Sequence, residues 1–542
     1  MRLALCQLDP TVGDIAANCA KIIAEVERAK KEKATLAIFP ELAICGYPPD
    51  DLLSSPGFID ACRAALDEII THTESIAVII GLPRAAEDNL DKPIYNSAAV
   101  IADRKLLGFQ DKMLLPTYDV FDERRHFRPG SVQKLWTLGG QQVAVTICED
   151  IWSLQLGTVG YPVDPLTFFE QHKPNLFVNI AASPYSVTKV ERRRTLAQRI
   201  AARLGTPVAL VNQIGGQDGL LFDGSSLILS AQGKILAHAQ SFAEDHLTLE
   251  LEGAEERSAI SEGPAAELFF ALVMGLRDYF VKQGFRKAFV GMSGGVDSSL
   301  TACIAATALG KDHVVGLLLP SRFTSPESGE DARTVAGNLG INTIEVPIDS
   351  LFQNYTDLLT SIFDGEQSSS VTLENIQSRI RGMILMAFAN REGALLLNTG
   401  NKSELALGYT TLYGDTCGAI AVLGDLLKHQ VYEVAQWLRK SFSWIPPRVL
   451  TKAPTAELRP NQKDSDSIPE YSILDPILDA YLVQNEPIDA ICSRLDQPRE
   501  LVADIVRRIH AAEFKRRQCP FSLRVSEKAF AYGRKIPIVH RY

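Results

Sequence analysis

Residues 287–300, KAFVGMSGGVDSSL, decide the fold of the second half of this chain. The apolar run KAFVGM predicts a strand, SGGVDSS predicts a turn, and LTACIAATALG predicts a helix that ends at Gly310. Farther along, HVVGLLLP, NTIEVPI and GALLLNTG predict more strands, with helices between them. Strands that alternate with helices indicate a doubly wound parallel sheet, which is a Rossmann-like α/β fold.

The turn in this stretch has the features of a phosphate-binding loop. Gly294 and Gly295 allow the backbone to approach an anion closely, and the amino end of the following helix favours negative charge. Hydroxyl donors follow at Ser293, Ser298 and Ser299. No lysine comes after the glycines, so this is not a Walker A loop. Asp297 can hold Mg²⁺. A plain serine turn that caps a helix is the simpler alternative.

The first half of the chain predicts a layered α/β domain with a different chemistry. Strand patterns recur from MRLALCQL to SSLILSAQGKILAHA, and YNSAAVIAD with KLLGFQDK predicts a hairpin. The segment TICED, residues 146–150, places Cys148 at the end of the apolar run QQVAVTIC. Glu41 ends ATLAIFPE, and Lys112 follows KLLGFQD. Most cysteines are small buried hydrophobes, but a thiol, an acid and a cation at three strand ends supply what a cysteine nucleophile needs.

Length and composition limit the function classes. The chain has 542 residues, a net charge of −10, and 46% hydrophobic and 22% charged residues. These values are typical of a soluble multidomain enzyme and argue against nucleic-acid or membrane-surface binding. Nine scattered cysteines without C-x-x-C argue against a disulfide framework and a structural zinc site. No apolar run reaches about 18 residues. We therefore expect a cytoplasmic protein with no nucleic-acid or membrane partner.

The segment EGAEERSAISEG predicts a linker because it is acidic, small and polar. We therefore expect a first domain over residues 1–251, a linker over 252–264 and a second domain over 265–542.

Three segments of the first domain resemble the catalytic blocks of the nitrilase, or carbon–nitrogen hydrolase, superfamily. They are FPELAICGYPPDDLL, QDKMLLPTYDVFDERRHFRPG and ICEDIW. The resemblance implies an α-β-β-α sandwich with a Glu–Lys–Cys site. In that site Glu41 is the general base, Lys112 stabilises the tetrahedral intermediate and Cys148 is the nucleophile. Glu123 is either a fourth polar member or a surface acid.

The second domain resembles the adenine nucleotide hydrolase-like ATP-pyrophosphatases at S-G-G-x-D-S. It also resembles the NAD synthetase family at TLENIQSRIRGMILM, NTGNKSELALGYTTLYGD and TKAPTAELRPNQKDSDSIPEY. A nitrilase domain placed first is similar to the glutamine-dependent members. The resemblance implies ATP binding by Gly291, Met292, Ser293, Gly294, Gly295, Val296, Asp297, Ser298 and Thr399. It implies deamido-NAD binding by Asn375, Glu404 and Lys515, and Mg²⁺ binding by Asp297 and Glu404. It implies glutamine recognition by Tyr118, Ser183 and Lys189.

Several of these positions have structural alternatives. Lys189 is either a glutamine contact or a charged loop residue, and Arg379 and Asp415 are either substrate contacts or members of a structural ion pair. The basic run FKRRQ supplies charge for an anionic substrate or forms a solvated helix face. The resemblance also implies a homo-oligomer.

The resulting hypothesis is an ATP-dependent ligase that converts deamido-NAD to NAD with ammonia taken from glutamine, through an internal ammonia path. A ligase with another acceptor, as in GMP or asparagine synthetases, shares the loop but uses a different glutaminase domain. A stand-alone amidase with a nucleotide-sensing domain would keep the Cys148 chemistry without ATP cleavage. A protein that only binds ligands would leave two catalytic sets idle.

Overall fold

The computed structural model describes residues 1–87, 92–154, 160–257, 263–362, 370–530 and 533–541. The chain divides into two compact units, residues 1–261 and 262–542. Part of the predicted linker, residues 258–262, lies outside the described residues. The exact boundaries of the two domains stay a prediction.

The first unit contains fourteen strands and five α-helices among its described residues. The strands are β1 (Arg2–Gln7), β2 (Leu36–Ile38), β3 (Ala77–Ala85), β4 (Ile94–Ala102), β5 (Lys105–Asp111), β6 (Leu135–Leu138), β7 (Gln141–Ile147), β8 (Leu176–Ala181), β9 (Val208–Asn212), β10 (Ile214–Gln217), β11 (Leu220–Asp223), β12 (Leu227–Leu229), β13 (Ile235–His238) and β14 (Asp245–Glu250). The helices are α1 (Ile15–Lys31), α2 (Phe58–Thr71), α3 (Glu123–His126), α4 (Leu166–His172) and α5 (Lys189–Leu204). Short 3₁₀ turns cover Asp50–Ser54 and Cys148–Leu154.

Two six-stranded sheets form the centre of this unit. Their strand orders are β14-β1-β2-β3-β4-β5 and β13-β12-β9-β8-β7-β6, and β10 pairs with β11 separately. Side chains alternate between the faces of a strand, so Leu3 and Leu5 of β1 join Val143 and Val145 of β7 in one buried cluster between the sheets. The opposite face of the second sheet packs on α4 and α5, and α2 packs on β3. The predicted α-β-β-α sandwich is confirmed.

One predicted strand segment is divided in the structure. The run SSLILSAQGKILAHA forms β12 and β13, which pair antiparallel. A turn between them is closed by a hydrogen bond from the Gly233 amide to the Ser230 carbonyl, and Gly233 has a φ of +76°. The predicted hairpin of β4 and β5 is present, and its two strands pair antiparallel.

The second unit contains six strands and twelve α-helices among its described residues. The strands are β15 (Ala288–Gly291), β16 (Val314–Leu318), β17 (Asn342–Glu345), β18 (Leu395–Asn398), β19 (Ile420–Ala421) and β20 (Phe521–Ser522). The helices are α6 (Pro264–Gln283), α7 (Val296–Leu309), α8 (Pro326–Leu339), α9 (Asp349–Ile362), α10 (Ser370–Glu392), α11 (Lys402–Leu407), α12 (Lys428–Phe442), α13 (Pro447–Thr451), α14 (Tyr471–Leu478), α15 (Ile488–Leu495), α16 (Arg499–Ala511) and α17 (Glu513–Arg516). A π-helical turn, Asp479–Val483, follows α14.

The six strands form one parallel sheet in the order β17-β16-β15-β18-β19-β20. From β15 the chain adds β16 and β17 on one side, and later adds β18, β19 and β20 on the other side. The strand order therefore reverses between β15 and β18. In open α/β sheets, ligands bind beyond the carboxyl ends of the strands at such a point. The predicted doubly wound parallel sheet is confirmed, and the loop after β15 lies at its switch point.

Candidate active sites

The thiol of the first unit lies on a sharp turn. β7 ends at Ile147, and Cys148 begins the 3₁₀ turn with a φ of +40°. This left-handed conformation is uncommon for a residue with a Cβ atom, and it concentrates at functional sites. Cys148 is 5% exposed. The turn therefore presents a buried sulfur at the carboxyl end of an interior strand of the second sheet.

Asp150 holds this turn in place and connects it to the segment that carries Lys112. Its Oδ2 accepts a hydrogen bond from the Ile147 amide at 3.0 Å. Its Oδ1 accepts hydrogen bonds from the Met113 and Leu114 amides, both at 2.9 Å. One buried carboxylate thus joins the residue before Cys148 to the two residues after Lys112.

A buried lysine lies between two carboxylates in the same unit. Lys112 Nζ is 2.7 Å from Glu41 Oε1 and 2.7 Å from Glu123 Oε1. Asn96 Nδ2 donates to Glu41 Oε1 at 2.7 Å, and the Ala182 amide donates to Glu41 Oε2 at 2.9 Å. Glu41 is fully buried and Lys112 is 1% exposed. The structure therefore gathers the three predicted catalytic residues and also brings Glu123 to the group as a buried fourth member.

Burial and charge set the protonation of these groups. Burial raises the pKa of the Cys148 thiol well above its usual value, and the Glu41 charge adds to this while Lys112 opposes it. Burial raises the pKa of Glu123 to about 7, against the opposing charge of Lys112. Burial would lower the pKa of Lys112, but the Glu123 and Glu41 carboxylates outweigh burial and raise it. Lys112 is therefore a permanent cation, and the thiol needs a base before it can act.

Two of the residues predicted to recognise glutamine, Tyr118 and Lys189, lie near another carboxylate, Glu149. The hydroxyls of Tyr118 and Tyr161 donate to Glu149 Oε1 at 3.0 Å and 2.8 Å. Lys189 Nζ lies 4.1 Å from the centroid of the Trp152 ring. Burial raises the pKa of Glu149, and the hydrogen bonds from Tyr161 and Tyr118 and the charges of Lys112 and Lys189 oppose this rise. Tyr118, Lys189 and Glu149 therefore share one region next to Cys148. Glu149 and Tyr161 were not predicted, although the acid stands beside Cys148 in TICED.

Ser183 and the strand ends around it complete this region. Ser183 is buried, and its amide donates to Asn212 Oδ1 at 2.9 Å. The preceding residue, Ala182, supplies the amide that binds Glu41. The end of β8 therefore positions Ser183 next to the general-base candidate.

The glycine-rich turn of the second unit requires glycine at one position. Gly294 has a φ of +77°, and a Cβ atom there would lie 2.1 Å from the Ser328 carbonyl oxygen. Ser298 Oγ accepts a hydrogen bond from the Ser293 amide at 3.2 Å. Ser299 Oγ donates to the Gly295 carbonyl at 2.8 Å. These contacts fold the loop back on the first turn of α7, whose amino end favours an anion.

A cavity of about 420 Å³ lies against this loop in the second unit. Its lining includes seven predicted residues, namely Gly291, Met292, Ser293, Asp297, Ser298, Thr399 and Glu404. It does not include Gly294, Gly295, Val296, Asn375 and Lys515. The last two support the wall, because Asn375 Oδ1 accepts from the Thr411 hydroxyl at 2.7 Å and Lys515 Nζ donates to the Thr410 carbonyl at 2.7 Å.

One face of helix α10 lines the cavity, and this face carries Arg381 but not Arg379. Ser378, Arg381, Gly382 and Leu385 line the cavity at helical spacing. Arg379 lies on another face, is exposed and donates to the Leu412 carbonyl. Burial lowers the pKa of Arg381 to about 10, and its Nε donates to the Leu319 carbonyl at 3.0 Å. Helical periodicity in SRIRGM places the two arginines on different faces but does not show which face lines the cavity. Asp415 is a cavity-lining residue, and burial raises its pKa to about 6.

A second buried lysine lies between the two predicted metal ligands. Lys428 Nζ is 2.5 Å from Asp297 Oδ2 and 3.3 Å from Glu404 Oε1. Asn401 Nδ2 donates to Asp297 Oδ1 at 2.9 Å. Burial raises the pKa of Glu404 to about 7, although Lys428 acts against this. Lys428 was missed because it begins α12, outside the motifs. Two facing carboxylates are the hard oxygen donors that Mg²⁺ uses together with phosphates, so Asp297 and Glu404 fit a magnesium ion.

The fold and the two sites define a two-unit α/β enzyme of the amidotransferase class, with a thiol-dependent amidase unit and a nucleotide-binding ligase unit. Comparison with known families agrees with this class. The carbon–nitrogen hydrolase family matches residues 2–260, and the NAD synthase family matches residues 268–519.

Full-length relatives identify the family. The glutamine-dependent NAD(+) synthetase of a Synechocystis species is 42% identical, covering 100% of this chain and 99% of the relative. That of Thermotoga maritima is 38% identical with the same coverage. The structure of the Acinetobacter baumannii enzyme in complex with ADP has a TM-score of 0.79 and 35% identity, covering 99% of this chain and 98% of the other. The chain belongs to the family of glutamine-dependent NAD(+) synthetases, which confirms the resemblance found in the sequence.

Proposed function

We propose that this chain catalyses the final amidation in NAD synthesis. Deamido-NAD, ATP, glutamine and water give NAD, AMP, pyrophosphate and glutamate. One observation carries the proposal: a single chain combines a buried Glu41–Lys112 pair beside the Cys148 thiol with an S-G-G-x-D-S loop that borders a cavity. An amidase alone needs no such loop, and a ligase alone needs no such thiol.

In the first unit Cys148 attacks the side-chain amide carbon of glutamine. Glu41 takes the thiol proton, and the leaving ammonia departs after a proton is returned to nitrogen. The resulting thioester is then hydrolysed by a water molecule that Glu41 deprotonates. Lys112 is a fixed cation in a site that excludes water, and it stabilises the oxyanion of both tetrahedral intermediates. The raised thiol pKa supports this order, because the base must act before the sulfur is nucleophilic.

Glutamine is held by Tyr118, Ser183 and Lys189 in this proposal. The Tyr118 hydroxyl donates a hydrogen bond to Glu149, and the Lys189 ammonium lies over the Trp152 ring. Glu149 is nearly buried and is the acid that best suits the substrate's α-ammonium group. Lys189 and Glu149 complement the α-carboxylate and the α-ammonium group of glutamine, so the site discriminates against amides that lack these charges.

In the second unit the loop and cavity bind ATP and deamido-NAD. The carboxylate of deamido-NAD attacks the α-phosphorus of ATP, pyrophosphate leaves, and ammonia then displaces AMP from the acyl-adenylate. Residues 291–298 and Thr399 hold the nucleotide, while Asn375, Glu404 and Lys515 serve deamido-NAD. Arg381 brings positive charge to the cavity wall, where two anionic substrates meet.

Magnesium would be held by Asp297 and Glu404 together with phosphate oxygens. There it would supply charge neutralisation for the phosphates of ATP. Lys428 keeps the two carboxylates together through its contacts with both. Its buried charge also balances theirs before substrate arrives.

We propose that the chain forms a homo-oligomer through the second unit. Helix α9 exposes Leu351, Tyr355, Leu358 and Ile362 on one face. Spacings of three and four residues place them in one stripe, and exposed apolar stripes mark association surfaces. A second copy of this stripe is its occupant. Light scattering of the purified chain and of Leu358→Lys tests this, since a variant of unchanged mass would exclude the stripe from the interface.

The cytoplasm is the proposed location. All nine cysteines lie within the described residues and are free, as expected in a reducing compartment. Among the described residues, no helix is both long and apolar enough to span a bilayer.

The test is to incubate purified protein with Mg-ATP, deamido-NAD and either glutamine or ammonium, and to identify products by mass. Cys148→Ala should form NAD from ammonium only, because its synthetase site is intact. Asp297→Ala should form no NAD from either source yet still release glutamate. If wild type forms no NAD from either source, the acceptor is wrong. If it also forms no AMP while it releases glutamate, the amidase alternative holds.

Ammonia is transferred within the protein in this proposal, because ammonia that reaches water is protonated and loses its nucleophilicity. Labelled ammonium in the medium during glutamine turnover tests the transfer. Extensive incorporation of the external label into NAD would exclude it.

A further inference from the structure

Three metal-ligating side chains meet in the first unit, at an edge of the sheet that holds β1. Cys6 of β1 and His246 of β14 are direct partners in the antiparallel pair, so their side chains lie on the same face. Leu3 and Leu5 face the other sheet, which leaves Cys6 on the face covered by α1. Glu25 extends from α1 towards both residues.

The ligand atoms have the spacing of a metal site. Cys6 Sγ is 3.9 Å from His246 Nδ1, and Glu25 Oε2 contacts the same nitrogen. All three atoms lie within 4.8 Å of one another, and among the described residues no other group of three does so. Zinc binds thiolate at about 2.3 Å and imidazole at about 2.0–2.1 Å, which places tetrahedral neighbours about 3.5 Å apart. Only Glu25 must move outward, and its side chain is 22% exposed.

The other nitrogen of the imidazole has a matching partner. His246 Nε2 is buried and makes no hydrogen bond, but Glu32 Oε2 lies 3.5 Å from it. The Thr248 hydroxyl donates to the same Glu32 oxygen. Histidines that bind zinc through one nitrogen usually donate the other N–H to a carboxylate, which fixes the tautomer. The arrangement around His246 therefore includes an outer carboxylate as well as three inner ligands.

We propose that Cys6, Glu25 and His246 bind a zinc ion, with Glu32 orienting the imidazole. The ion would join β14, the last strand of the first unit, to β1 and α1. It would lie on the helix-covered face of the sheet, so it is a structural ion and takes no part in catalysis. Spacing along the chain argued against a zinc site, because Cys6 and His246 are 240 residues apart and only the fold brings them together.

The alternative is a metal-free pair in which His246 is protonated and bound to Glu25. Titration with Zn²⁺ and Co²⁺ distinguishes the metal site from this ion pair. A thiolate bound to Co²⁺ gives a sulfur-to-metal charge-transfer absorption, and an ion pair does not. The full-length Cys148→Ala protein is the background, so that the catalytic thiol cannot supply the ligand. After removal of metal with a chelator, it is titrated with Zn²⁺ in competition with a chromophoric chelator, and separately with Co²⁺.

We expect one zinc per chain, the cobalt absorption, and a rise in the thermal midpoint on adding zinc. Cys6→Ala and His246→Gln should lose the stoichiometric binding, and Glu32→Gln should weaken it about 10–100-fold. Cys19 is also a buried cysteine, and it lies on α1. Cys19→Ala is therefore the matched control and should bind zinc as its parent does.

Binding that survives in Cys6→Ala overturns the proposal, as does zinc without a thiolate–cobalt absorption. Should Cys6→Ala fail to fold, the cobalt spectrum of the parent decides alone, because absence of the absorption there rejects the site.

Discussion

Replacing Asp150 with asparagine tests whether this residue positions the catalytic groups of the first unit. Its two carboxylate oxygens accept three backbone hydrogen bonds. An asparagine side chain keeps an oxygen for Met113 and Leu114, but its NH₂ group then faces the Ile147 amide. One hydrogen bond is lost, and the Ile147 amide and the new NH₂ group face each other as unpaired buried donors. Together these changes should lower the free energy of unfolding of the first unit by about 3 kcal/mol.

The catalytic effect should be confined to glutamine. Asp150 connects the backbone beside Cys148 to the backbone beside Lys112, so its loss shifts the nucleophile relative to the cation. A displacement of this kind is expected to lower kcat for glutamine hydrolysis about 10²-fold. NAD formation from ammonium should be unchanged, because it uses only the second unit. Glutamate release and ammonium-dependent NAD formation are measured side by side, with urea unfolding of the same samples.

Asp14→Asn is the matched control for Asp150→Asn. Asp14 caps α1 by accepting a hydrogen bond from the Ala17 amide, and asparagine caps helices as well as aspartate does. The control should leave both stability and glutamine hydrolysis unchanged. Wild-type glutamine hydrolysis by Asp150→Asn, or an equal loss with ammonium, would refute the positioning role.

Three further substitutions test other buried features. Because the pKa of Glu123 is raised to about 7, wild type loses stability as this residue ionises. The stability of Glu123→Gln relative to wild type should therefore rise by about 3 kcal/mol between pH 5 and pH 8. Parallel curves of unfolding free energy against pH would contradict this. Gly294→Ala should abolish NAD formation from both nitrogen sources because its Cβ meets the Ser328 carbonyl, whereas Gly310→Ala, also at positive φ but with open space around it, should remain active. Arg193→Leu should destabilise the first unit by about 3–5 kcal/mol, because it strands the buried Asp223 carboxylate; a urea midpoint equal to wild type would show that the pair is dispensable.

Strand ends carried most of the predictable information about the candidate sites. Glu41, Lys112 and Cys148 each follow an apolar run in the sequence, and these runs are strands of the two six-stranded sheets of the first unit. Glycine requirements were also visible, since Gly294 stands in a turn between a strand and a helix. These signals are local, because each depends only on residues near it along the chain.

Partners supplied by distant elements could not be predicted. Asn96 and Ala182 hold Glu41 from β4 and from the end of β8, and nothing beside either residue marks it. Lys428 reaches Asp297 across 131 residues. Which face of α10 turns towards the cavity depends on how the helix packs, so Arg381 and Arg379 were not distinguished by the motif alone.

The two units solve one electrostatic problem in the same way. Each places two carboxylates close together, Glu41 with Glu123 and Asp297 with Glu404, and each places a buried lysine between them. A buried carboxylate pair without a cation would stay ionised only at a cost of several kcal/mol. Lysine suits this position because its ammonium is a compact charge that contacts one oxygen of each acid. The lysine offsets the charge of the proposed general base in the first unit and of the proposed metal ligands in the second. Both chemistries therefore depend on a buried cation.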